Sequence, residues 1–265
     1  MSSSGSTSFD RAAAYYDETR GLTDEAVRRQ TDLLAGELRA RGRTLEVGVG
    51  TGQVALPLSE AGIPMAGLDL SEPMLRVLVE KVGTVPFPVV VGDATMMPFE
   101  DGSFGAGVAR WVFHLIAAWR QALEEFVRVV SPGGVLLILL GSYGTGPRAQ
   151  VQDRFNELLG LPNEPVGIMC GDHETLDRAM IDLGATPREL PVLTAVDAQP
   201  LSVFLDGIDA NRYSWTWRVP ADELTRLAPE VRAWAQERFG QLDRTAPHRF
   251  ELAWRAYDLS DATRR

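Results

Sequence analysis

The amino-acid sequence predicts an α/β protein in which a mostly parallel sheet is covered by helices on both faces. Between residues 44 and 140, short apolar segments alternate with segments of helical periodicity. The segment 135–140 is apolar throughout, as expected of a strand that is buried on both sides. A glycine-rich turn also follows the first predicted strand. Together these features are typical of a sheet built from strand–helix–strand units.

The same periodicities predict the individual elements. The predicted strands are residues 44–49, 65–70, 88–92, 104–113 (a strand followed by a loop), 135–140, 188–196 and 250–257. The predicted helices are residues 9–20, 23–39, 53–61, 72–81, 119–130, 150–159, 174–183, 202–211 and 222–239. Residues 1–8 are rich in Ser and Gly, a composition that favours disorder.

Composition excludes several classes of function. The formal net charge of −10 works against nucleic acid, because polyanions are bound through Lys and Arg. Cys170 is the only cysteine, so neither an internal disulfide nor a cysteine zinc site can form. The histidines form no HExxH motif, and we expect no metal. The apolar runs are too short for a membrane span and no leader opens the chain. We expect a cytoplasmic protein without a membrane partner, either monomer or homodimer.

The most informative segment is residues 45–53 (L-E-V-G-V-G-T-G-Q), where the first strand gives way to a helix. Glycines let the backbone approach a ligand, and a helix N-terminus offers unpaired N–H groups. A dinucleotide fingerprint needs GxGxxG, but Gln53 stands where its third glycine belongs. No lysine follows to make a Walker loop. The pattern therefore disfavours the binding of a pyrophosphate group. The alternative to a ligand-binding loop is a glycine-rich turn that only connects the strand to the helix.

Residues 46–52 resemble the first motif of class I S-adenosylmethionine-dependent methyltransferases, in the small-molecule branch (type 11, similar to the ubiquinone and menaquinone biosynthesis enzymes). Further segments resemble the family in the same order: G-L-D-L-S at 67–71, V-G-D-A at 91–94, P-F-E-D-G-S-F at 98–104 and S-P-G-G-V at 131–135. The resemblance implies a Rossmann-like, doubly wound sheet of seven mostly parallel strands, the last antiparallel. It also implies an N-terminal helical lid and a helical cap inserted between the last two strands.

The resemblance implies S-adenosylmethionine as cofactor and S-adenosylhomocysteine as product. Asp69 would accept hydrogen bonds from both ribose hydroxyls, and Asp93 would accept one from the adenine amino group. The implied cofactor-binding residues are Tyr16, Arg20, Glu46, Gly48, Gly50, Thr51, Gly52, Asp69, Leu70, Met74, Asp93, Ala94 and Arg110. Arg20 would pair with the methionine carboxylate; simple helix packing is the alternative for Tyr16 and Arg20.

Candidate residues for the acceptor side follow the fourth strand and recur in the last third of the chain. The expected substrate pocket contains Trp111, His114, Tyr143, Tyr213, Trp215 and Trp217. His114 is a candidate base, because imidazole titrates near neutral pH, but a packed structural histidine is the alternative. Trp215 and Trp217 would equally suit the cap's own core. One departure stands out: the family usually has Asp directly after Phe104, where this chain has Gly105.

These observations give a domain plan and a function. We expect an N-terminal lid at 1–43, a cofactor-binding core at 44–196 plus 247–265, and a helical cap at 197–246. The expected activity is methyl transfer to the O, N or C nucleophile of a small organic acceptor by in-line displacement. A catalytically silent S-adenosylmethionine-binding sensor or partner subunit is one alternative, which Gly105 keeps open. An NAD-dependent oxidoreductase is another, against which Gln53 argues.

Overall fold

The computed structural model describes residues 5–141, 144–160 and 166–260, which form two compact units. The first unit comprises the described residues of Met1–Gly141, Val166–Leu193 and Leu252–Arg265. The second comprises those of Ser142–Pro165 and Thr194–Glu251. Residues 144–160, which the sequence predicts to belong to the core, thus fall in the second unit. The functional names given to the predicted domains stay predictions.

The first unit is built on a seven-stranded sheet. The strands of the chain are β1 (Thr44–Val47), β2 (Met65–Asp69), β3 (Val89–Val91), β4 (Phe104–Arg110), β5 (Val130–Leu139), β6 (Ala185–Glu189), β7 (Leu193–Pro200), β8 (Thr245–Leu252) and β9 (Arg255–Leu259). The order in the large sheet is β3-β2-β1-β4-β5-β9-β6, and β7 pairs with β8 in a separate sheet. Strand β9 is antiparallel to β5 and β6, whereas β1 to β5 pair in parallel. The predicted doubly wound sheet with an antiparallel last strand is confirmed.

Helices cover this sheet and build the second unit. They are α1 (Tyr16–Arg20), α2 (Asp24–Leu38), α3 (Ala55–Glu60), α4 (Glu72–Val82), α5 (Trp119–Val129), α6 (Pro147–Leu159), α7 (His173–Asp182), α8 (Leu201–Asp209) and α9 (Ala221–Phe239). Short 3₁₀ turns lie at Asp10–Tyr15, Phe113–Leu115 and Ser214–Thr216. Side-chain caps begin three of the helices: Thr23 accepts from Ala26 N, Ser71 from Met74 N, and Asp172 from Thr175 N.

The packing of α5 shows how the sequence holds the sheet together. The α5 residues Ala122, Leu123, Phe126 and Val129 recur at helical spacing and are fully buried. Gly107 lies directly beneath the Phe126 ring, where an added Cβ would come within 2.4 Å of Cε2. The glycine therefore lets α5 approach β4 closely.

The second unit has a hydrophobic core of its own, formed by α6, α8 and α9. Its buried residues include Val151, Phe155, Leu201, Phe204, Leu205, Ile208, Leu227, Val231 and Ala235. Within the described ranges of the whole chain, no helix is both long and apolar enough to cross a bilayer.

Two predicted strands are wrong in their limits. The predicted strand 188–196 is divided between β6 and β7, because Pro191 has no N–H with which to continue a ladder. The predicted strand 250–257 is divided between β8 and β9 at residues 253 and 254, where Trp254 is buried. Both errors join segments that the structure places in different sheets.

Candidate functional site

A cleft opens at the carboxyl ends of β1, β2 and β4. Strand β1 lies between β2 and β4, so the strand order reverses there, and such switch points are where open α/β sheets bind ligands. The cleft has an empty volume of about 710 Å³, which includes some open solvent at its mouth. It is lined by Ser6, Thr7, Ser8, Phe9, Tyr16, Val47, Gly48, Gly50, Leu68, Asp69, Leu70, Met74, Gly92, Asp93, Ala94, Arg110, Trp111, Val112, Leu115 and Ile116.

The glycine loop after β1 forms one wall of the cleft. Gly48, Gly50 and Gly52 have φ angles of +73°, +53° and +83°, which side-chain-bearing residues rarely adopt. A Cβ on Gly48 would also stand 2.7 Å from Cγ2 of Val112. The loop therefore needs glycine both for its backbone conformation and for the close approach of neighbouring segments.

Asp69, the last residue of β2, fixes this loop. Its Oδ2 accepts from Gly50 N at 2.7 Å and its Oδ1 accepts from Ser71 N at 2.8 Å. Burial raises the pKa of Asp69 to about 6, although backbone N–H groups of Ser71, Gly50 and Leu70 act to lower it. A carboxylate offers about four acceptor positions, so about one remains for a ligand hydroxyl.

Asp93 follows β3 and lines the neighbouring part of the cleft. Its Oδ1 accepts from Thr95 N at 2.9 Å and from Thr95 Oγ1 at 2.8 Å, which fixes the turn. A Cβ on Gly92 would stand 2.6 Å from Cδ1 of Leu68, so glycine lets the ends of β2 and β3 close up. The two strand-end carboxylates that the sequence singled out therefore line one cleft.

Two buried ionisable side chains lie at the end of β4 in the cleft and on the neighbouring strand β1. Glu46 on β1 is 2% exposed and Arg110 on β4 is 7% exposed. Burial raises the pKa of Glu46 to about 8, opposed by Arg110 and by the Ala55 N–H. Within the described chain, Glu46 Oε2 and Arg110 Nη1 have no hydrogen-bond partner. Buried polar atoms are normally paired, and of these two residues only Arg110 lines the cleft.

The N-terminal helix α1 is tied to the glycine loop through Asp17. Asp17 Oδ1 accepts from Thr51 Oγ1 at 2.6 Å and from Gln53 Nε2 at 2.8 Å, and its Oδ2 pairs with Lys81 Nζ at 2.6 Å. Burial alone would raise the pKa of Asp17, but Lys81, Thr51 and Gln53 hold it below its ordinary value. Sequence reasoning missed Asp17 and Lys81, because no local pattern links residues so far apart.

Residues 6–9 also line the cleft. Thr7 N donates to Leu115 O at 2.9 Å. The Ser71 and Ser8 hydroxyls hold the pKa of Asp10 below its ordinary value. Thr7 and Ser8 thus have hydrogen-bond partners at the rim of the cleft, and the disorder expected from the composition stays a prediction.

The predicted cofactor residues divide into two groups. Those that line the cleft are Tyr16, Gly48, Gly50, Asp69, Leu70, Met74, Asp93, Ala94 and Arg110. Arg20, Glu46, Thr51 and Gly52 are not among the described residues of that lining. Glu46 on β1 and Thr51 in the loop are buried, and Arg20 Nη1 donates to Thr19 O at 3.3 Å. Their binding roles stay predictions.

Trp111 and His114 follow β4 on the other wall. Trp111 lines the cleft with a φ of +55°, and the Arg110 guanidinium lies 4.4 Å from its ring centroid. His114 lies in the 3₁₀ turn Phe113–Leu115 and is not among the described lining residues. Burial, with a contribution from the charge of Arg20, lowers the pKa of His114 to about 4. His114 is therefore neutral at pH 7, and its role as a base stays a prediction.

The other acceptor-side candidates lie in the second unit. Tyr213 and Trp215 stack with ring centroids 6.0 Å apart, and Trp215 meets Phe155 edge to face at 5.2 Å. Trp217 Nε1 donates to Asn211 O at 3.1 Å. Tyr213 and Trp215 thus pack in the hydrophobic cluster of that unit, and the roles expected of Tyr213, Trp215 and Trp217 in the substrate pocket stay predictions. Tyr143 lies outside the described residues.

The structure gives a physical reason for Gly105. An added Cβ at this position would stand 1.4 Å from the backbone oxygen of Arg41, so no side chain fits. Gly105 N also donates to Arg43 O at 2.9 Å. Gly105 is near the amino end of β4 and Arg110 at its carboxyl end, about 16 Å apart along an extended strand. The departure from the family pattern is therefore remote from the cleft.

A glycine loop at a topological switch point, flanked by two strand-end carboxylates, is an arrangement with which α/β proteins bind nucleosides. The pattern of the methyltransferase domain family matches residues 45–138. Among curated relatives, a phosphatidylethanolamine N-methyltransferase of Cereibacter sphaeroides is 35% identical over 156 residues, which are 56% of this chain and 75% of that protein. The chain belongs to the S-adenosylmethionine-dependent methyltransferase family.

Other comparisons agree with this assignment. A demethylmenaquinone methyltransferase of Paenarthrobacter aurescens (strain TC1) is 31% identical over 144 residues, and the chain spans 53% of its own length and 56% of that relative's. The YcgJ protein of Bacillus subtilis has a similar fold, with a TM-score of 0.59 and 19% identity over 89% of this chain and 98% of that one. The chain thus spans little more than half the length of the first of these relatives.

Proposed function

We propose that this protein transfers the methyl group of S-adenosylmethionine to a small organic acceptor. The observation that carries the proposal is one cleft that joins a glycine loop, the Asp69 carboxylate and the buried Arg110 guanidinium, whose Nη1 has no partner among the residues that the structure describes. A side chain at Gly48 or Gly50 would meet Val112 or Met74, so the loop is a cradle that only glycine leaves open. These features fit a nucleoside that carries a charged amino-acid tail.

Each charged part of this cofactor has a matching residue. The ribose would donate to Asp69 and the adenine amino group to Asp93. The methionine carboxylate would accept from Arg110, whose fork of N–H donors suits a carboxylate. The α-amino cation would suit Glu46, whose Oε2 has no partner within the described residues. When bound, the cofactor supplies a methyl group on a sulfonium, which is an excellent leaving group.

The protein's own contribution is to position and to exclude water. Residues 6–9 and Tyr16 line the cleft, and Trp111, Val112, Leu115 and Ile116 give it an apolar wall. Aligned reactants gain about 7–11 kcal/mol of barrier reduction in favourable cases. With a pKa of about 4, His114 would be a weak base at pH 7, which favours positioning as the main source of rate.

The acceptor and the setting are also proposals. The relatives named above act, by their names, on demethylmenaquinone and on phosphatidylethanolamine, which differ in the atom that a methyl group would reach. We therefore propose only a small organic acceptor. The single cysteine and the acidic net charge support a cytoplasmic location and no nucleic-acid partner.

Calorimetric titration followed by a turnover assay tests the proposal. We expect S-adenosylmethionine and S-adenosylhomocysteine to bind, and NAD to bind far more weakly because Gln53 replaces a fingerprint glycine. Incubation with quinols, phenols and amines should then give S-adenosylhomocysteine and a product heavier by one methylene. Absence of binding would reject the assignment. Binding without turnover across the acceptor panel would favour the silent sensor.

Cofactor affinity should rise between pH 7 and pH 8. The free protein holds Glu46 protonated below a pKa of about 8, whereas an α-amino cation beside it favours the carboxylate. Binding therefore releases a proton. Cofactor affinity should rise by up to about tenfold per pH unit, and it should level off above the pKa of Glu46, where the free protein already holds the carboxylate. Asp69, with a pKa of about 6, is mostly ionised in this window.

Calorimetry in two buffers of different ionisation enthalpy would measure that proton, and Glu46→Gln should remove it. Glu25→Gln serves as the matched control, because Glu25 is an exposed residue that forms an ion pair with Arg28. An equal pH slope in Glu46→Gln and the wild type would contradict the assignment of Glu46.

A further inference from the structure

The side-chain amide of Gln53 joins two parts of the cleft that are far apart in sequence. Its Nε2 donates to Asp17 Oδ1 at 2.8 Å, and its Oε1 accepts from Arg110 Nη2. Gln53 thus connects helix α1 to the end of strand β4. Gln53 also occupies the position at which a dinucleotide-binding loop has its third glycine. The bridge therefore uses a side chain where that loop has none.

The chemistry of its two partners fixes the orientation of the amide. A carboxylate accepts hydrogen bonds and a guanidinium only donates them. The NH₂ group of Gln53 must therefore face Asp17 and its oxygen must face Arg110. Asp17 is itself held by Lys81 Nζ at 2.6 Å and Thr51 Oγ1 at 2.6 Å, so it cannot easily turn away. A glutamate or an aliphatic residue at position 53 cannot make both bonds.

Arg110 depends on these contacts for its direction. Its side chain is buried and lines the cleft, and it also interacts with the Tyr16 hydroxyl. Nη1 has no hydrogen-bond partner in the described part of the chain. Adjacent residues of α1 therefore converge on one guanidinium: Tyr16 directly, and Asp17 through Gln53. The guanidinium keeps one donor unpaired for a ligand.

We propose that Gln53 is a positioning residue that couples the docking of α1 to the direction of Arg110. With α1 docked, Asp17 orients the amide, the amide orients Arg110, and Arg110 offers Nη1 to the carboxylate of the cofactor. Undocking α1 frees Arg110 and weakens carboxylate recognition. This inference rests on the proposed function, because it takes the ligand carboxylate to be that of the methyl donor.

A reversal of the hydrogen bond gives a direct test. Gln53→Glu keeps an acceptor for Arg110 but sets a carboxylate against Asp17, and should weaken S-adenosylhomocysteine binding by about tenfold or more. In the double variant Asp17→Asn with Gln53→Glu, the amide of residue 17 donates to the carboxylate of residue 53, and most of the affinity should return. Gln150→Glu makes the same charge change at an exposed position and should leave affinity unchanged.

Discrimination between ligands separates positioning from mere folding. The wild type should bind S-adenosylhomocysteine far more tightly than its decarboxylated analogue, because only the former has the anion that Arg110 recognises. In Gln53→Glu the ratio of the two affinities should fall toward one, whereas a purely structural defect would weaken the binding of both ligands equally. If Gln53→Glu unfolds, Gln53→Met removes both bonds without adding charge and is measured in its place.

The outcomes are distinguishable. A wild type that binds neither S-adenosylmethionine nor S-adenosylhomocysteine would overturn the proposed function. A wild type that binds and discriminates, with a Gln53→Glu or Gln53→Met variant of unchanged ligand ratio, would overturn only the role of Gln53. Failure of Asp17→Asn to restore a weakened Gln53→Glu variant would likewise exclude coupling through Asp17.

Discussion

Replacing Asp69 with alanine is expected to weaken S-adenosylmethionine binding by at least about tenfold. A hydrogen bond to a charged group contributes about 1.5–3 kcal/mol, and each 1.4 kcal/mol is about tenfold in affinity. The substitution also removes the acceptor of Gly50 N and Ser71 N, so the glycine loop loses its anchor. Titration calorimetry measures the effect. Unchanged affinity would show that the assignment of Asp69 to the ribose is wrong.

Companion variants make this result specific. Gly50→Val should be worse than Asp69→Ala, because a branched side chain enters the cleft at a φ of +53° and its Cβ comes within 3.2 Å of Met74 Cε. Asp69→Asn keeps the shape and one acceptor oxygen, and should fall between wild type and Asp69→Ala. The exposed Asp32 of α2 gives a matched Asp→Ala control that should bind normally.

Restoring the family's aspartate at position 105 is expected to destabilise the protein severely. The added Cβ would stand 1.4 Å from the Arg41 carbonyl oxygen and 2.6 Å from its carbon. Overpacking a core costs about 1–3 kcal/mol or more, and a backbone clash belongs at the upper end. A loss of about 3 kcal/mol lowers Tm by about 6–12 °C in a chain of this size.

Thermal unfolding of Gly105→Asp and Gly105→Ala measures this loss. Gly36 is the matched control, because it lies in α2 and a Cβ there meets nothing within 4 Å. Gly36→Ala should leave Tm unchanged or raise it, since alanine favours a helix by about 1 kcal/mol over glycine. Equal melting of Gly105→Ala and wild type would contradict the clash. It would also leave the difference between Gly105 and the family's aspartate without a structural explanation.

The glycine loop and its carboxylates could be predicted because their signals are local. Glu46, Gly50 and Asp69 belong to one strand–loop–helix–strand segment, so spacing along the chain fixes their positions in space. The same holds for Asp93 at the end of the next strand. By contrast, Asp17 meets Lys81, and Thr7 meets Leu115, only after the fold has formed. The hydrophobic periodicity of the sequence cannot predict contacts between residues so far apart.

The strand limits failed for a different reason. Residues 188–196 and 250–257 are each rich in apolar residues on both sides of the boundary, although each segment passes from one sheet to another. Pro191 carried a signal for the first boundary. At the second boundary, buried Leu252 and Trp254 flank the turn, so hydrophobicity could not mark it. Tertiary packing set both limits.

Trp111 shows where the chain gives up folding free energy. A bulky side chain at a φ of +55° strains the backbone by about 1–3 kcal/mol, which glycine would relieve. The indole nevertheless stands in the cleft beside Arg110. Trp111→Gly would relieve that backbone strain but would also remove the contact between the indole and the Arg110 guanidinium, so the two effects on the free energy of unfolding oppose each other.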